Sequence, residues 1–482
     1  MKYYLKSACL ILLLAFNLEL NCQDESVAKF ITDPSLKYGL VSLAVLDTET
    51  GNPVITYNQY KSLVPASVAK LITSAVALEI LGPAYTFKTV AGYTGNLDRN
   101  PGILSGDIVI CGGGDPSLGS ENFSDNYNGF IDKWVNEIRR LGIRKVEGRV
   151  IVDDSYYDFQ PVPGKWLWED AGNYYGAGVY GLSVFDNTYK IYFSTGSVRG
   201  SVRLLHIEPP ECGKGLINRL QAAGDSDMGY VFAAPYSEEG WIEGTIPTGR
   251  NEFILKASIS DPPMLLAEIL NKRLAASGIT IKGKPSTARL QNNFKPVDMV
   301  TVSVINSPPL SDIVKVLNHE SINLYAEHLL KELGKFFEGE GTSDAGLRTI
   351  IKYLQSKGFD TEGLFLTDGS GVSPLNGISS GLLAGLLVKM KKESSSFPEF
   401  YSSLPEAGKN GTLKNYFRDD IFADNLKAKT GSMTRVRSFA GYFTTNSGKE
   451  MAFSVIVNNF TRPSKDLISG VENLLREIIL RY

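Results

Sequence analysis

The sequence predicts a multi-domain α/β protein: one α/β sandwich built from both ends of the chain and interrupted by a long insertion. Three observations carry this. At 482 residues the chain exceeds one ordinary domain. Strand-like runs occupy 40–47 and 53–58 near its start and 451–458 near its end, where 467–479 adds helical periodicity. Between them, from about 88 to about 297, a separate pattern of helix, Gly-Ile pair and strand occurs twice, with boundaries good to a few residues.

The elements follow in order. Glu49-Thr50-Gly51-Asn52 is a turn-forming connection between the first two strands. A helix from Ser67 to 81 follows, introduced by Pro65. In the insertion, 107–111 reads as a strand and Gly112-Gly113-Gly114-Asp115 as the tight turn after it. No Lys-Ser or Lys-Thr follows these glycines to hold phosphate. An amphipathic helix over 130–141 leads through Gly142-Ile143 to a strand at 148–153. Asp261 caps a second helix, with Pro262 and Pro263 in its first turn, running to 276 and on to Gly278-Ile279. The stretch 166–239 is rich in Gly, Tyr and Pro and reads as mostly β. The expected division is therefore 1–22 as a signal peptide, 23–88 with 297–482 as a catalytic domain, 89–165 with 240–296 as an inserted α/β domain, and 166–239 as a mostly β domain nested in it.

Composition narrows the function. Hydrophobic residues at 43% and charged residues at 21% fit a globular protein. A net charge of -3 gives no reason to expect nucleic acid as a partner. Lys2 and Lys6 precede an apolar core at 8–16 that is short for a membrane span, which reads as a secretory signal. The expected product is an exported, soluble protein. The alternative is peripheral membrane attachment through a lipid on Cys22, for which Glu19-Leu20-Asn21 is a poor match. Cys111 and Cys212 are either paired or separately buried. The histidines His206, His319 and His328 make no zinc-binding spacing, so no metal or other cofactor is expected.

Four short motifs remain. Ser67-Val68-Ala69-Lys70 places a hydroxyl and an amine three residues apart on one helix face. A serine needs a neighbouring base to become a nucleophile. Lysine can be that base when uncharged, which takes burial or a second cation close by. Alone, such a pair is equally a solvated helix face. Ser321-Ile322-Asn323, Asp368-Gly369-Ser370-Gly371 and Lys429-Thr430-Gly431-Ser432 follow it in that order.

Ser-x-x-Lys, Ser-x-Asn and Lys-Thr-Gly in this order resemble the signature of penicillin-binding proteins and serine β-lactamases. The stretches GGGDPSL, GKWLWED, NSPPLSDIVKVLNHESINLYAEHLLKELG, TDGSGVS and AGKNGTL, with the long insertion after the Ser67 helix, resemble the class C low-molecular-mass penicillin-binding proteins. The resemblance implies a penicillin-binding, β-lactamase-like transpeptidase sandwich. It implies a D-alanyl-D-alanine carboxypeptidase or endopeptidase of the periplasm, acting on peptidoglycan stem peptides and cross-links and acylated by β-lactam antibiotics. By the same resemblance Ser67 is the nucleophile and Lys70 its base, and Ser321, Asn323 and Lys429 complete the catalytic set. Backbone N–H groups of Ser67 and Ser432 form the oxyanion hole. Thr430, Gly431 and Ser432 lie along the substrate, with the Thr430 and Ser432 hydroxyls on its carboxylate. Ile322 replaces the family's usual Asp or Asn, and Pro374 stands where arginine is common. Asp153 has two readings: in some relatives an aspartate here meets a substrate amine, and locally it ends a strand in a turn with Asp154 and Ser155. Arg435 and Arg437 read as surface residues.

Two alternatives share these motifs. A β-lactamase would need a deacylating device, and no Glu-x-x-Leu-Asn element resembles that of the class A enzymes. A non-catalytic cell-wall-binding module would have no need of both lysines, both serines and Asn323.

Overall fold

The computed structural model describes residues 24–482, except 198, 199, 201, 292 and 293. The expected signal peptide and Cys22 lie outside the described residues. The chain divides into two compact units, one comprising 24–65, 377–393 and 405–482, the other 66–376 and 394–404.

The first unit is a five-stranded antiparallel sheet in the order Lys427–Met433, Val436–Thr444, Glu450–Asn458, Leu40–Asp47, Pro53–Tyr57. Strands from opposite ends of the chain pair without slippage, from Leu40 against Asn458 to Asp47 against Met451. Leu40–Asp47 is apolar at nearly every position because both faces are covered. Val41, Leu43 and Val45 meet the helix Ser464–Arg481 through Leu467, Val471 and Leu475. Facing the other way, the Ser42 hydroxyl lies 2.6 Å from that of Ser380, which opens the helix Ser380–Glu393. The Tyr442 hydroxyl donates to the Leu387 carbonyl of that helix at 2.8 Å. Helix, sheet and helix form the expected sandwich.

The second unit centres on the helix Asn323–Glu338, whose residues from Leu324 to Gly334 are all buried. Lys70–Leu81, Leu310–Glu320 and Ser343–Ser356 pack around it. Four buried polar side chains of the central helix reach several other segments of the chain. Glu327 accepts from the turn at 369–370. His328 bonds Gly114 O and the Ser183 hydroxyl. Lys331 pairs with Asp158 at 2.6 Å, and Glu332 accepts from the hydroxyls of Tyr85, Tyr156 and Tyr157. Buried polar groups need such partners, so one helix fixes several loops at once.

The twice-occurring pattern has a structural counterpart. The helices Phe130–Arg140 and Pro262–Ala276 lead to strands that pair in parallel, Lys145–Val146 with Thr280–Ile281 and Val150–Asp153 with Ser286–Thr287. Asp261 caps the second helix, its Oδ1 accepting from Met264 N at 3.1 Å. The mostly β region holds two three-stranded sheets around Ile191, Phe193, Val231 and Ile242. It runs on past 239, because Gly240–Ile246 is the central strand of one sheet and Phe253–Ser258 an edge strand of the other. Cys111 and Cys212 are free thiols.

Candidate active site

Ser67 lies in a 3-10 turn, Ala66–Ala69, and the α-helix begins only at Lys70. The sequence expectation of a continuous helix from Ser67 is corrected here, and the difference favours the site. Side chains three apart eclipse in a 3-10 turn, whereas on an α-helix they are offset. Gly371 explains the tight turn: it sits at φ +82°, and a Cβ there would stand 2.0 Å from Ala66 O. The DGSG loop therefore presses against the backbone just before the nucleophile.

The amine of Lys70 is fully buried and has three neighbours. Ser67 Oγ stands at 2.9 Å, Asn323 Oδ1 at 2.6 Å and the Ser370 carbonyl at 2.7 Å. Burial pushes the amine down to about 7, against the opposing pull of Asp368 and then Glu327. Burial was one of the two means the sequence offered. Two of the three neighbours can only accept hydrogen bonds. In its charged form the amine has an N–H for each of the three. In its neutral form it has two N–H groups and one lone pair; with both N–H groups on Asn323 and Ser370, the lone pair is left for the Ser67 hydroxyl.

Asn323 opens the central helix, and its Nδ2 donates to the Tyr175 carbonyl at 2.7 Å, which fixes the amide orientation. Ser321 sits two residues earlier, at the junction of Leu310–Glu320 and the central helix, with φ 59° and ψ 37°. This left-handed conformation is uncommon for a serine and here caps the end of the helix. Asn318 anchors the helix before it, donating to Ser403 Oγ at 2.8 Å.

The DGSG turn is organised by Asp368, which is fully buried. Its Oδ1 accepts from Gly371 N and Asn376 Nδ2, both at 2.8 Å. Its Oδ2 accepts from Ser373 N at 2.7 Å and Trp166 Nε1 at 2.8 Å. Sequence reasoning singled out the motif but missed Trp166, Tyr175 and Glu327 as members of the cluster. For Glu327 a signal existed, since an acidic residue four beyond Asn323 shares its helix face.

Asp153 ends the strand Val150–Asp153, and its Oδ1 accepts from the Ser155 N–H at 3.1 Å and hydroxyl at 2.6 Å. The local reading, a strand-end turn, accounts for these contacts.

The third motif belongs to the other unit. Lys429, Thr430, Gly431 and Ser432 lie on Lys427–Met433, an edge strand of the five-stranded sheet. Lys429 is buried and donates to the Thr430 carbonyl at 2.9 Å. Ser432 is exposed and pairs in register with Arg437, whose guanidinium donates to the Ser432 hydroxyl and to Val436 O. Arg437 is half-buried, a correction to its expected surface position. Cross-strand register brought it to Ser432.

A hydroxyl 2.9 Å from a buried amine, with a carboxamide locking that amine, is the arrangement that serine hydrolases with a lysine base require. Residues 23–477 match the D-Ala-D-Ala carboxypeptidase 3 (S13) family, and the chain belongs to that family. It is 28% identical over 453 residues to a D-alanyl-D-alanine carboxypeptidase of Actinomadura sp. (strain R39), covering 91% of this chain and 81% of the relative. Its fold is similar to that of penicillin binding protein 4 from Haemophilus influenzae, with a TM-score of 0.82 at 21% identity over 95% of this chain and 99% of that one. The same protein complexed with a β-lactam gives a TM-score of 0.76 at 19% identity, over 94% and 99% of the two chains. The penicillin-binding sandwich and the serine-type D-Ala-D-Ala carboxypeptidase class expected from the motifs are therefore those of the family.

Proposed function

We propose that the protein cleaves the terminal D-alanyl-D-alanine bond of peptidoglycan stem peptides, and the equivalent bond of cross-links, through an ester on Ser67. The observation that carries this reading is the buried Lys70 amine, 2.9 Å from Ser67 Oγ, with Asn323 Oδ1 and the Ser370 carbonyl as its other neighbours. Lys70 takes the hydroxyl proton as Oγ attacks the carbonyl of the penultimate D-alanine. The tetrahedral intermediate collapses, the C–N bond breaks, and the amine of the departing D-alanine receives a proton relayed through Ser321. Water then attacks the ester, giving a proton back to Lys70, and Ser67 is regenerated.

The remaining assignments follow the motif. The N–H groups of Ser67 and Ser432 stabilise the developing oxyanion, the first helped by the helix that follows it. Asn323 holds a backbone amide of the substrate. Lys429 supplies positive charge, and the hydroxyls of Thr430 and Ser432 take the terminal carboxylate. The substrate adds as a further strand along the edge at 429–433. Asp153 is assigned no part, because its carboxylate closes its own turn. A β-lactam acylates the same serine, and its leaving group stays tethered and hinders water. Such chemistry belongs outside the cytoplasmic membrane, in keeping with the signal read at 1–22. Among the described residues no helix is long and apolar enough to cross a membrane.

The test is labelling with a fluorescent penicillin, wild type against Ser67→Ala, followed by D-alanine release from diacetyl-Lys-D-Ala-D-Ala. Labelling and release in the wild type alone support the proposal. Equal labelling of both, or no release above the Ser67→Ala control, overturns it.

A further inference from the structure

One buried carboxyl beside the site has no part in the chemistry above. Glu327 stands one turn beyond Asn323 on the same face of the central helix. Its Oε1 accepts from Gly369 N at 3.0 Å and Ser370 N at 2.7 Å. Its Oε2 is buried without a hydrogen-bond partner. The next N–H, that of Gly371, goes to Asp368 Oδ1 at 2.8 Å. Three successive N–H groups are thus taken by two buried carboxyls. This leaves the peptide joining Ser370 and Gly371 one orientation, with its carbonyl 2.7 Å from the Lys70 amine. The central helix therefore reaches Lys70 twice: directly through Asn323, and through Glu327 and the turn it holds.

We propose that Glu327 is a positioning residue for this reaction: with Asp368 it locks the turn 368–371 so that the Ser370 carbonyl occupies one N–H of Lys70 and the lone pair is left for Ser67. The inference rests on the reading of Ser67 as nucleophile and Lys70 as its base. The structure explains why the residue carries a side-chain acceptor. A single carboxyl oxygen serves two N–H groups, and an apolar side chain would leave both unpaired in the interior. Burial raises the Glu327 carboxyl, and nearby Asp368 adds to this. The ionisable groups facing it are Lys70 from the Ser67 helix, Asp368 from the turn, and Lys331 from the next turn of its own helix.

The test measures Ser67 acylation by a fluorescent penicillin between pH 5 and 9 in the full-length protein, comparing wild type with Glu327→Gln and Glu327→Ala. The amide oxygen of glutamine can still accept from both N–H groups, so Glu327→Gln should acylate within about three-fold of wild type at pH 8. Folded Glu327→Ala should be slower by about 100-fold or more, as two unpaired N–H groups release the turn. A glutamine variant as slow as alanine, or an alanine variant at the wild-type rate, overturns the proposal. If Glu327→Ala does not fold, Glu327→Gln decides alone: a rate within about three-fold of wild type supports the proposal and a loss of about 100-fold overturns it. Wild type unlabelled at Ser67 would overturn the functional reading, and this inference with it.

Discussion

Asn323 Oδ1 lies 2.6 Å from the Lys70 amine, although 253 residues separate them along the chain. The carboxamide cannot donate from that oxygen, so the amine must, and one of its N–H groups is thereby committed. Asn323→Ala removes this acceptor and the bond to the Tyr175 carbonyl together. The expected result is a fall of about 100-fold in Ser67 acylation, with stability reduced by about 1–3 kcal/mol. Stopped-flow acylation and urea unfolding measure the two effects separately.

Gly371→Ala is expected to be strongly disruptive. The φ of +82° disfavours a side chain, and the new methyl would meet Ala66 O. The turn carrying Ser67 must shift or the protein must lose stability, by roughly 2–3 kcal/mol. Thermal unfolding and penicillin labelling on one sample test this. A variant with wild-type melting and labelling would contradict it.

His328 supplies a pH dependence of stability. Its Nδ1 lies 3.0 Å from Gly114 O, a pure acceptor, so Nδ1 carries the proton and Nε2 accepts from Ser183 Oγ at 2.8 Å. Burial holds the imidazole down to about 3. A group lowered in the folded state gives stability that is present above its unfolded value near 6.5 and lost as pH falls towards 3. Melting temperatures between pH 4 and 8 should therefore fall on the acid side more steeply in wild type than in His328→Gln.

Local rules carried much of the fold. The strand 40–47 has exactly the expected limits because its composition is apolar throughout, and the Asp261 cap with its two prolines is a signal contained in a few residues. The Ser67 and Lys70 pair was legible because both side chains lie within one turn. Glu327 carried only its spacing from Asn323, and spacing alone does not separate a buried glutamate from a solvated one on an amphipathic helix. Trp166 reaches Asp368 across 202 residues, a contact that exists only once the chain has packed. The close approach of Gly371 to the Ala66 carbonyl beside Ser67 is again a contact between distant stretches of the chain.

The central claim is an uncharged Lys70 amine facing Ser67, and the rate of Ser67 acylation against pH tests it most directly. Protonation below about 7 consumes the lone pair, so the rate should rise through a midpoint near 7 and then level. A rate flat from pH 5 to 9, or rising only above pH 9 as for an ordinary lysine, would contradict the account.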